Sequence, residues 1–450
     1  MSKLEVNTIE PQCGTTLTLG GSGDTVTLAS GASQSGFGST GEVSWNTTKK
    51  TTGFTAVSGS GYFCDTAASG AFQVTLPSSP SAGNVVAVSD YNGNFATANL
   101  TIGRNSQKIN GETSDYVIGK DNVTAQFIYV DATEGWRIVF TGNPGGEALQ
   151  ASYITATGGS ITTSGNCKIH TFTGPGTFCV ASLADTPANN VVSYMVVAGG
   201  GGGGGYVTGG GAGGFREYKS PVTPYTASPL DGNPGGTGIT VTATGYPITV
   251  GAGGAGGPCN GAKGTNGNPA VFSTITSTGG GAGAGDTGPT RDGNPGGSGG
   301  SNMFIPTNPV LGTLGAGNTP PVSPPQGNPA GNSTSDQATY TTGGGGGGAT
   351  AAGGAATSSS GGVGGAGATT SINATPTAYA GGGGGGSDAS KTAQPGGAGG
   401  GGKGYSPATT TPAPERQGTA NTGGGGGGGK APNTSGTGGS GVVIIRYRYQ

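Results

Sequence analysis

The sequence has 450 residues, of which 31% are hydrophobic and 8% charged, and this is too little apolar side chain for one large conventional core. The formal net charge is −2, with Lys and Arg scattered along the chain, so the basic footprint of a nucleic-acid binder is missing. No stretch approaches the ~18 apolar residues of a membrane span and no apolar leader follows Met1, which predicts a chain made in a cytosol without membrane insertion.

Residues 1–41 alternate over three short segments, 4–9, 16–19 and 25–28, separated by tight turns such as Gly20-Gly21-Ser22-Gly23-Asp24. Each segment is too short to bury a face within one chain. Three copies winding into a slender β-prism supply the missing surface, so the expected state is a homotrimer. The run Leu4-Glu5-Val6-Asn7-Thr8-Ile9-Glu10-Pro11, followed by Gly14-Thr15-Thr16-Leu17-Thr18-Leu19-Gly20, resembles the opening of tail-fibre proteins of tailed bacteriophages. The resemblance implies that residues 1–41 join the trimer to other virion tail proteins.

Residues 42–141 read as a compact all-β domain, with alternation at 71–76, 84–89, 98–102, 125–130 and 136–140 between Gly, Asn and Pro turns. Trp45 and Trp136, the only tryptophans, are read as core area. The elements Thr75-Leu76-Pro77, Asp90-Tyr91, Leu100-Thr101-Ile102, Ile109-Asn110-Gly111 and Gly135-Trp136-Arg137 make the domain similar to one common in phage fibres. A linker follows at 142–147. Its Gly-Asn-Pro element recurs at 232–234, 267–269, 293–295 and 327–329, where it predicts turns.

Residues 148–198 form a β lead-in domain with strands near 153–156, 160–162, 168–172 and 177–180. Together with Met195-Val196-Val197-Ala198-Gly199, this segment resembles the lead-in of glycine-rich domains at the ends of phage fibres.

From residue 199 the composition changes, and 79 of the 105 glycines lie beyond residue 198. They concentrate in runs at 199–205, 343–348, 381–386, 396–402 and 423–429. A lone glycine run is a flexible linker, because glycine loses the most backbone entropy on ordering. Several runs order together when each is a left-handed polyproline-II rod whose backbone is its own packing surface. The apolar run 191–197 precedes this region and Val442-Val443-Ile444-Ile445-Arg446-Tyr447 follows it. Pairing of these two strands would close residues 199–441 into one bundle, with 442–450 as the closing strand. The fold class is therefore all-β N-terminal domains, a trimeric β-prism and small β-sandwich or barrel-like modules, followed by a polyglycine-II bundle closed by paired β-strands, with essentially no α-helix.

The segments between the runs, 215–250, 258–278, 286–342, 349–380 and 403–422, are read as loops at the rod ends. Their aromatics, Tyr218, Tyr225, Tyr246, Phe272, Phe304, Tyr340, Tyr379 and Tyr405, are the candidate receptor-binding residues, suited to stacking on sugars or packing against a cell-surface protein.

Catalytic chemistry finds no support. His170 is the single histidine, lies in a β run and reads as structural. Residues 424–430 fit a phosphate-loop spacing, but Ala431 stands where the metal-binding hydroxyl belongs. The five cysteines, Cys13, Cys64, Cys167, Cys179 and Cys259, lack metal-ligand spacing; Cys167 and Cys179 flank a hairpin and are read as free thiols. No enzyme activity, metal or cofactor is expected. The reading is a phage tail-fibre protein, carried on the virion, that binds a bacterial surface protein or glycan non-covalently. The alternatives are a purely structural virion protein, such as a head or neck fibre or decoration protein, and an extracellular ice-binding bundle.

Overall fold

The structure is a computed structural model that describes residues 43–142, 151–258, 261–286, 288–304, 311–335, 340–388, 391–408, 410–430 and 432–450. The expected trimeric prism at 1–41 and most of the expected linker lie outside the described residues. Among the described residues the chain is nearly all β, and its two α-helical turns, Thr66–Ser69 and Ala413–Arg416, have four residues each.

The first unit is two sheets face to face. One contains β1 (Ser44–Lys50), β3 (Ser60–Cys64), β5 (Val85–Asp90), β8 (Thr124–Asp131) and β9 (Gly135–Gly142), in the order β1-β3-β5-β8-β9. The other is β2 (Phe54–Thr55), β4 (Phe72–Thr75), β6 (Leu100–Gly103) and β7 (Tyr116–Ile118). Alternating residues of both sheets, among them Val74, Val86, Val88, Leu100, Ile102 and Phe127, meet in one core with Trp136 at its centre. Trp45 instead lies on the surface against Phe63.

The second unit is organised by β14 (Val191–Val197) and β24 (Val442–Arg448), which pair antiparallel from Ser193–Arg446 to Val197–Val442. Preceding strands are β10 (Thr155–Thr157), β11 (Ser160–Ser164), β12 (Cys167–Phe172) and β13 (Gly176–Ser182). β15 (Phe215–Tyr218) and β16 (Ile239–Thr240) follow β14, and β24 sits between β12 and β14 in the sheet β11-β12-β24-β14-β15. The last strand is thus an interior strand, buried on both faces, which explains why its sequence is continuously apolar. Val192, Tyr194, Val196, Val443 and Ile445 face a second sheet made of β10, β13, β17 (Gly245–Thr249), β18 (Ala270–Phe272) and β19 (Ile275–Ser277). On the other face Met195, Val197, Val442 and Ile444 pack on Ala212, Phe215, Ile372 and Tyr379 at the base of the glycine bundle. Because the strands of 155–197 pair with β15, β16, β17 and β24, the lead-in segment and the glycine region form one structural unit. Cys167 and Cys179 are free, on strands of different sheets.

The glycine runs are rods with a three-residue period in their hydrogen bonds. The N–H groups of Gly199, Gly202 and Gly205 donate to Asn268, Thr265 and Ala262; those of Gly200 and Gly203 donate to Gly439 and Gly436; those of Gly201 and Gly204 donate to Gly211 and Thr208. The carbonyls of Gly199 and Gly202 accept from Gly280 and Gly283, those of Gly200 and Gly203 from Gly254 and Gly257, and those of Gly201 and Gly204 from Gly426 and Gly429. Rod 199–205 therefore has six hydrogen-bonded neighbours, as a threefold backbone screw permits. Rod 381–386 repeats the arrangement, donating to segments 399–402, 362–365 and 207–210 and accepting from 425–428, 394–397 and 343–346. The backbone satisfies its own polar groups with almost no side-chain core. Glycine is required by proximity: a Cβ on Gly383 would stand 2.0 Å from the Gly426 carbonyl oxygen.

Three expectations change. The segments between the runs are only partly loops, since 262–268, 293–301, 327–331, 351–356 and 361–367 are also bonded into the bundle. Three Gly-Asn-Pro elements, at 267–269, 293–295 and 327–329, lie inside this hydrogen-bonded lattice and not at turns: proline's fixed φ suits the polyproline-II rod, and Gly267, Gly293 and Gly327 keep negative or extended φ. The run 396–402 is a rod reversal, with Gly399 at φ +103° and Gly400 at φ +89°.

Candidate functional site

Rods 199–205, 279–285, 381–386 and 423–429 run parallel, away from the strands, as the paired registers of their hydrogen bonds require. Each leaves the bundle at its distal end, so the residues that follow the runs converge there. Tyr206 follows the first rod, Asp286 the second, Asp388 the third and Lys430 the fourth.

Three of these residues are in direct contact. The Tyr206 hydroxyl donates to Asp388 Oδ2 at 2.8 Å, and Lys430 Nζ lies 3.5 Å from that oxygen and 3.8 Å from the centroid of the Tyr206 ring. The Thr341 N–H donates to Asp388 Oδ1 at 2.7 Å. The Asp388 side chain is only 3% exposed, so the carboxylate is a buried tie between four chain segments. Burial and the neighbouring Asp388 carboxylate push the Tyr206 phenol above its usual range and keep it a donor. Burial also raises the Asp286 carboxyl, against the opposing pull of Lys430 and Arg291.

Beside this tie the distal end presents apolar surface. Tyr340 is 43% exposed with Lys391 Nζ 5.6 Å from its ring centroid, and Leu311 is 44% exposed. Phe304 is partly exposed, and its carbonyl accepts from Thr341 Oγ1 at 3.4 Å. The arrangement offers hydrophobic area, cations and a fixed carboxylate on a rigid frame, which suits non-covalent recognition.

The eight sequence candidates separate accordingly. Phe304 and Tyr340 are at the distal end. Tyr405 is near it but buried, with the Arg416 guanidinium 5.5 Å from its ring centroid. The other five lie at the strand end. Tyr218 stacks on Tyr194, Phe272 is fully buried between Tyr194 and Phe178, and Tyr379 is buried with its hydroxyl accepting from Asn373. Tyr246 packs on Phe178 and Phe272, and Tyr225 lies under Arg446 with a buried hydroxyl. The buried side chains of Tyr218, Phe272, Tyr379 and Tyr405 are core contacts and are not displayed on loops, because short turns return these aromatics onto the sheet and the bundle. Sequence reading missed Tyr206, Asp388 and Lys430, although their position just beyond a glycine run was a usable signal.

His170 is buried, its Nδ1–H donating to the Gly158 carbonyl at 2.7 Å and its Nε2 accepting from the Tyr447 hydroxyl at 3.1 Å. Its surroundings are a structural pocket of Phe178 and Tyr447 rings. In the phosphate-loop-like stretch, the N–H groups of residues 425–429 all donate to backbone carbonyls, those of 425, 426, 428 and 429 to other rods and that of 427 to Arg416, so they are occupied within the domain. No group of three or more His, Cys, Asp or Glu able to hold a metal occurs among the described residues.

A family described as a glycine-rich domain matches residues 173–448. The chain belongs to this glycine-rich domain family. The match ends with the last residue of β24, so the glycine-rich domain includes β13, β14, every rod and the closing strand. No curated protein matches the chain.

Proposed function

We propose that this protein is a tail-fibre protein of a tailed bacteriophage, whose glycine-rich domain holds a receptor-binding surface at the distal end of its rods. In this reading residues 1–41 attach the trimer to the virion, the β units space the domain outward, and the tip binds a bacterial surface protein or glycan without chemistry. The observation that carries it is the convergence of four parallel rods on one exposed surface, with Tyr340, Phe304 and Leu311 beside a tie formed by Tyr206, Asp388 and Lys430. A bundle serving only as a spacer needs no such tie at its free end. Three copies on one fibre would add avidity through effective concentration.

The test is binding of the full chain to intact host cells, with Tyr340→Ala and a phage deleted for residues 199–450 in parallel. Saturable binding, weakened at least tenfold by Tyr340→Ala and abolished in adsorption by the deletion, supports the proposal. Normal adsorption by the deleted phage overturns it in favour of a structural appendage.

A further inference from the structure

The outer face of the first sheet, turned away from the core around Trp136, is apolar and open. Side chains alternate along each strand, so while Tyr62, Cys64, Val86, Val88, Ala125 and Phe127 enter the core, Phe63, Val85, Ala87 and Ile128 point the other way. Trp45 joins them from β1. Gly61 is paired with Trp45 on one side and Ala87 on the other, and a Cβ there would stand 2.7 Å from the indole, so the missing side chain makes room for the ring. The indole lies on the sheet beside Phe63, 5.0 Å between centroids, and is 37% exposed. Charged groups flank this face: Lys49 lies 2.7 Å from Asp65 and over the Tyr91 ring, and Arg137, opposite Ile128, pairs with Glu134. An aromatic centre with a polar rim is the anatomy of a protein interface.

The edge strand points the same way. Residues 44–49 of β1 are exposed on both faces of the strand, so β1 buries little within one copy. The second unit meets the first at Ala96, Val117 and Lys120, none of them in this sheet, and leaves Trp45 open. Trp45 is also four residues beyond 1–41, the segment read as holding three copies together. Four residues span at most ~14 Å, so in that trimer each Trp45 is tethered beside the segment shared with the other copies, at high effective concentration. Sister copies are the partners that this tether supplies.

We propose that this face packs on the first unit of a second copy of the chain, with Trp45 and Phe63 at the centre of the contact and Lys49, Tyr91 and Arg137 at its rim. The inference rests on the reading that residues 1–41 hold copies together.

The experiment measures the mass of the full chain by light scattering and the quenching of its tryptophan fluorescence by acrylamide. Trp136 is fully buried, so a tryptophan that acrylamide reaches is Trp45. The expected result is a trimer in which both tryptophans resist quenching, and Trp45→Glu should raise the concentration at which it dissociates at least tenfold. A trimer whose Trp45 quenches freely overturns the inference and leaves the trimer standing. A dimer with both tryptophans protected keeps the inference and overturns the trimer. A monomer overturns both, whether Trp45 is exposed or covered by the chain's own residues. Mass and quenching are read on the parent chain and need no variant to fold.

Discussion

Tyr206 and Asp388, 182 residues apart in sequence, meet at 2.8 Å through a hydrogen bond that ties the ends of two rods. The same carboxylate accepts from the Thr341 N–H and faces Lys430, so one side chain organises four segments. Asp388→Ala should cost about 1–3 kcal/mol, because it strands a half-buried phenol and the buried Thr341 N–H together. Tyr206→Phe should cost about 1 kcal/mol, since it removes one donor and leaves Thr341 and Lys430 in place. Chemical denaturation of the full chain measures both; an unchanged midpoint for Asp388→Ala would mean that the tie contributes nothing to the frame.

The rods predict a sharp contrast between two glycine-to-alanine changes. At Gly383 the new Cβ would sit 2.0 Å from the Gly426 carbonyl oxygen, with backbone on the opposing side and no flexible side chain to yield. We expect a loss of about 3 kcal/mol or more and a weakened polyproline-II circular-dichroism signal. At Gly236 nothing lies within 4 Å of the corresponding Cβ, and the change should be neutral or stabilise by up to about 1 kcal/mol. Equal melting temperatures for the two variants would refute the close-packed bundle.

Two buried ionisable groups give opposite pH dependences. Glu217 accepts from the Thr370 hydroxyl at 2.6 Å and from the Ser228 N–H at 2.9 Å, and burial raises its carboxyl pKa. Its contribution is fully present below the unfolded carboxyl value of about 4.3 and is lost as pH rises through the folded value. Glu217→Gln keeps both contacts, because the Thr370 hydroxyl can accept from the amide, and should be more stable than the parent at pH 8 but not at pH 4. A constant difference between parent and variant across that range would remove Glu217 as the cause.

Burial lowers the pKa of His170, the single histidine in the sequence. Its contribution is present above the unfolded value of about 6.5 and is lost as pH falls through the lower folded value. NMR of the imidazole should show a titration midpoint below 6.5 and a neutral form protonated on Nδ1, as the Gly158 contact requires. Titration at or above 6.5 would show that the pocket is open to water.

Thiol reactivity should follow position. Cys179 is exposed, whereas Cys64 is buried with its thiol pushed up to about 12 by burial and the nearby Asp90. Brief iodoacetamide treatment of the native chain should label Cys179 and spare Cys64 and Cys167 until denaturant is added. Early labelling of Cys64 would show the first core opening locally.

Much of the frame was legible because it is written in local pattern. The apolar runs at 191–197 and 442–447 announced strands, and their flanking of a glycine-rich insert announced that they pair, as β14 and β24 do. The glycine runs announced rods, since only a residue without Cβ tolerates backbone at such short distances. What local pattern could not reveal is which segment lies beside which. Rods carry no side chains whose periodicity marks a partner, so the six neighbours of 199–205, and the enlistment of 262–268 and 351–356 as further rods, follow from the close packing of the whole bundle.

The same limit governed the site. By itself the sequence determined an all-β chain with a glycine bundle clasped by two apolar strands, because hydrophobic alternation and glycine content act through the local backbone. Only the tertiary structure decided which aromatics are core, as with Phe272 and Tyr379, and which reach the surface, as with Tyr340. It alone brought Tyr206, Thr341, Asp388 and Lys430 together, because their proximity depends on the direction and length of rods far apart in the chain.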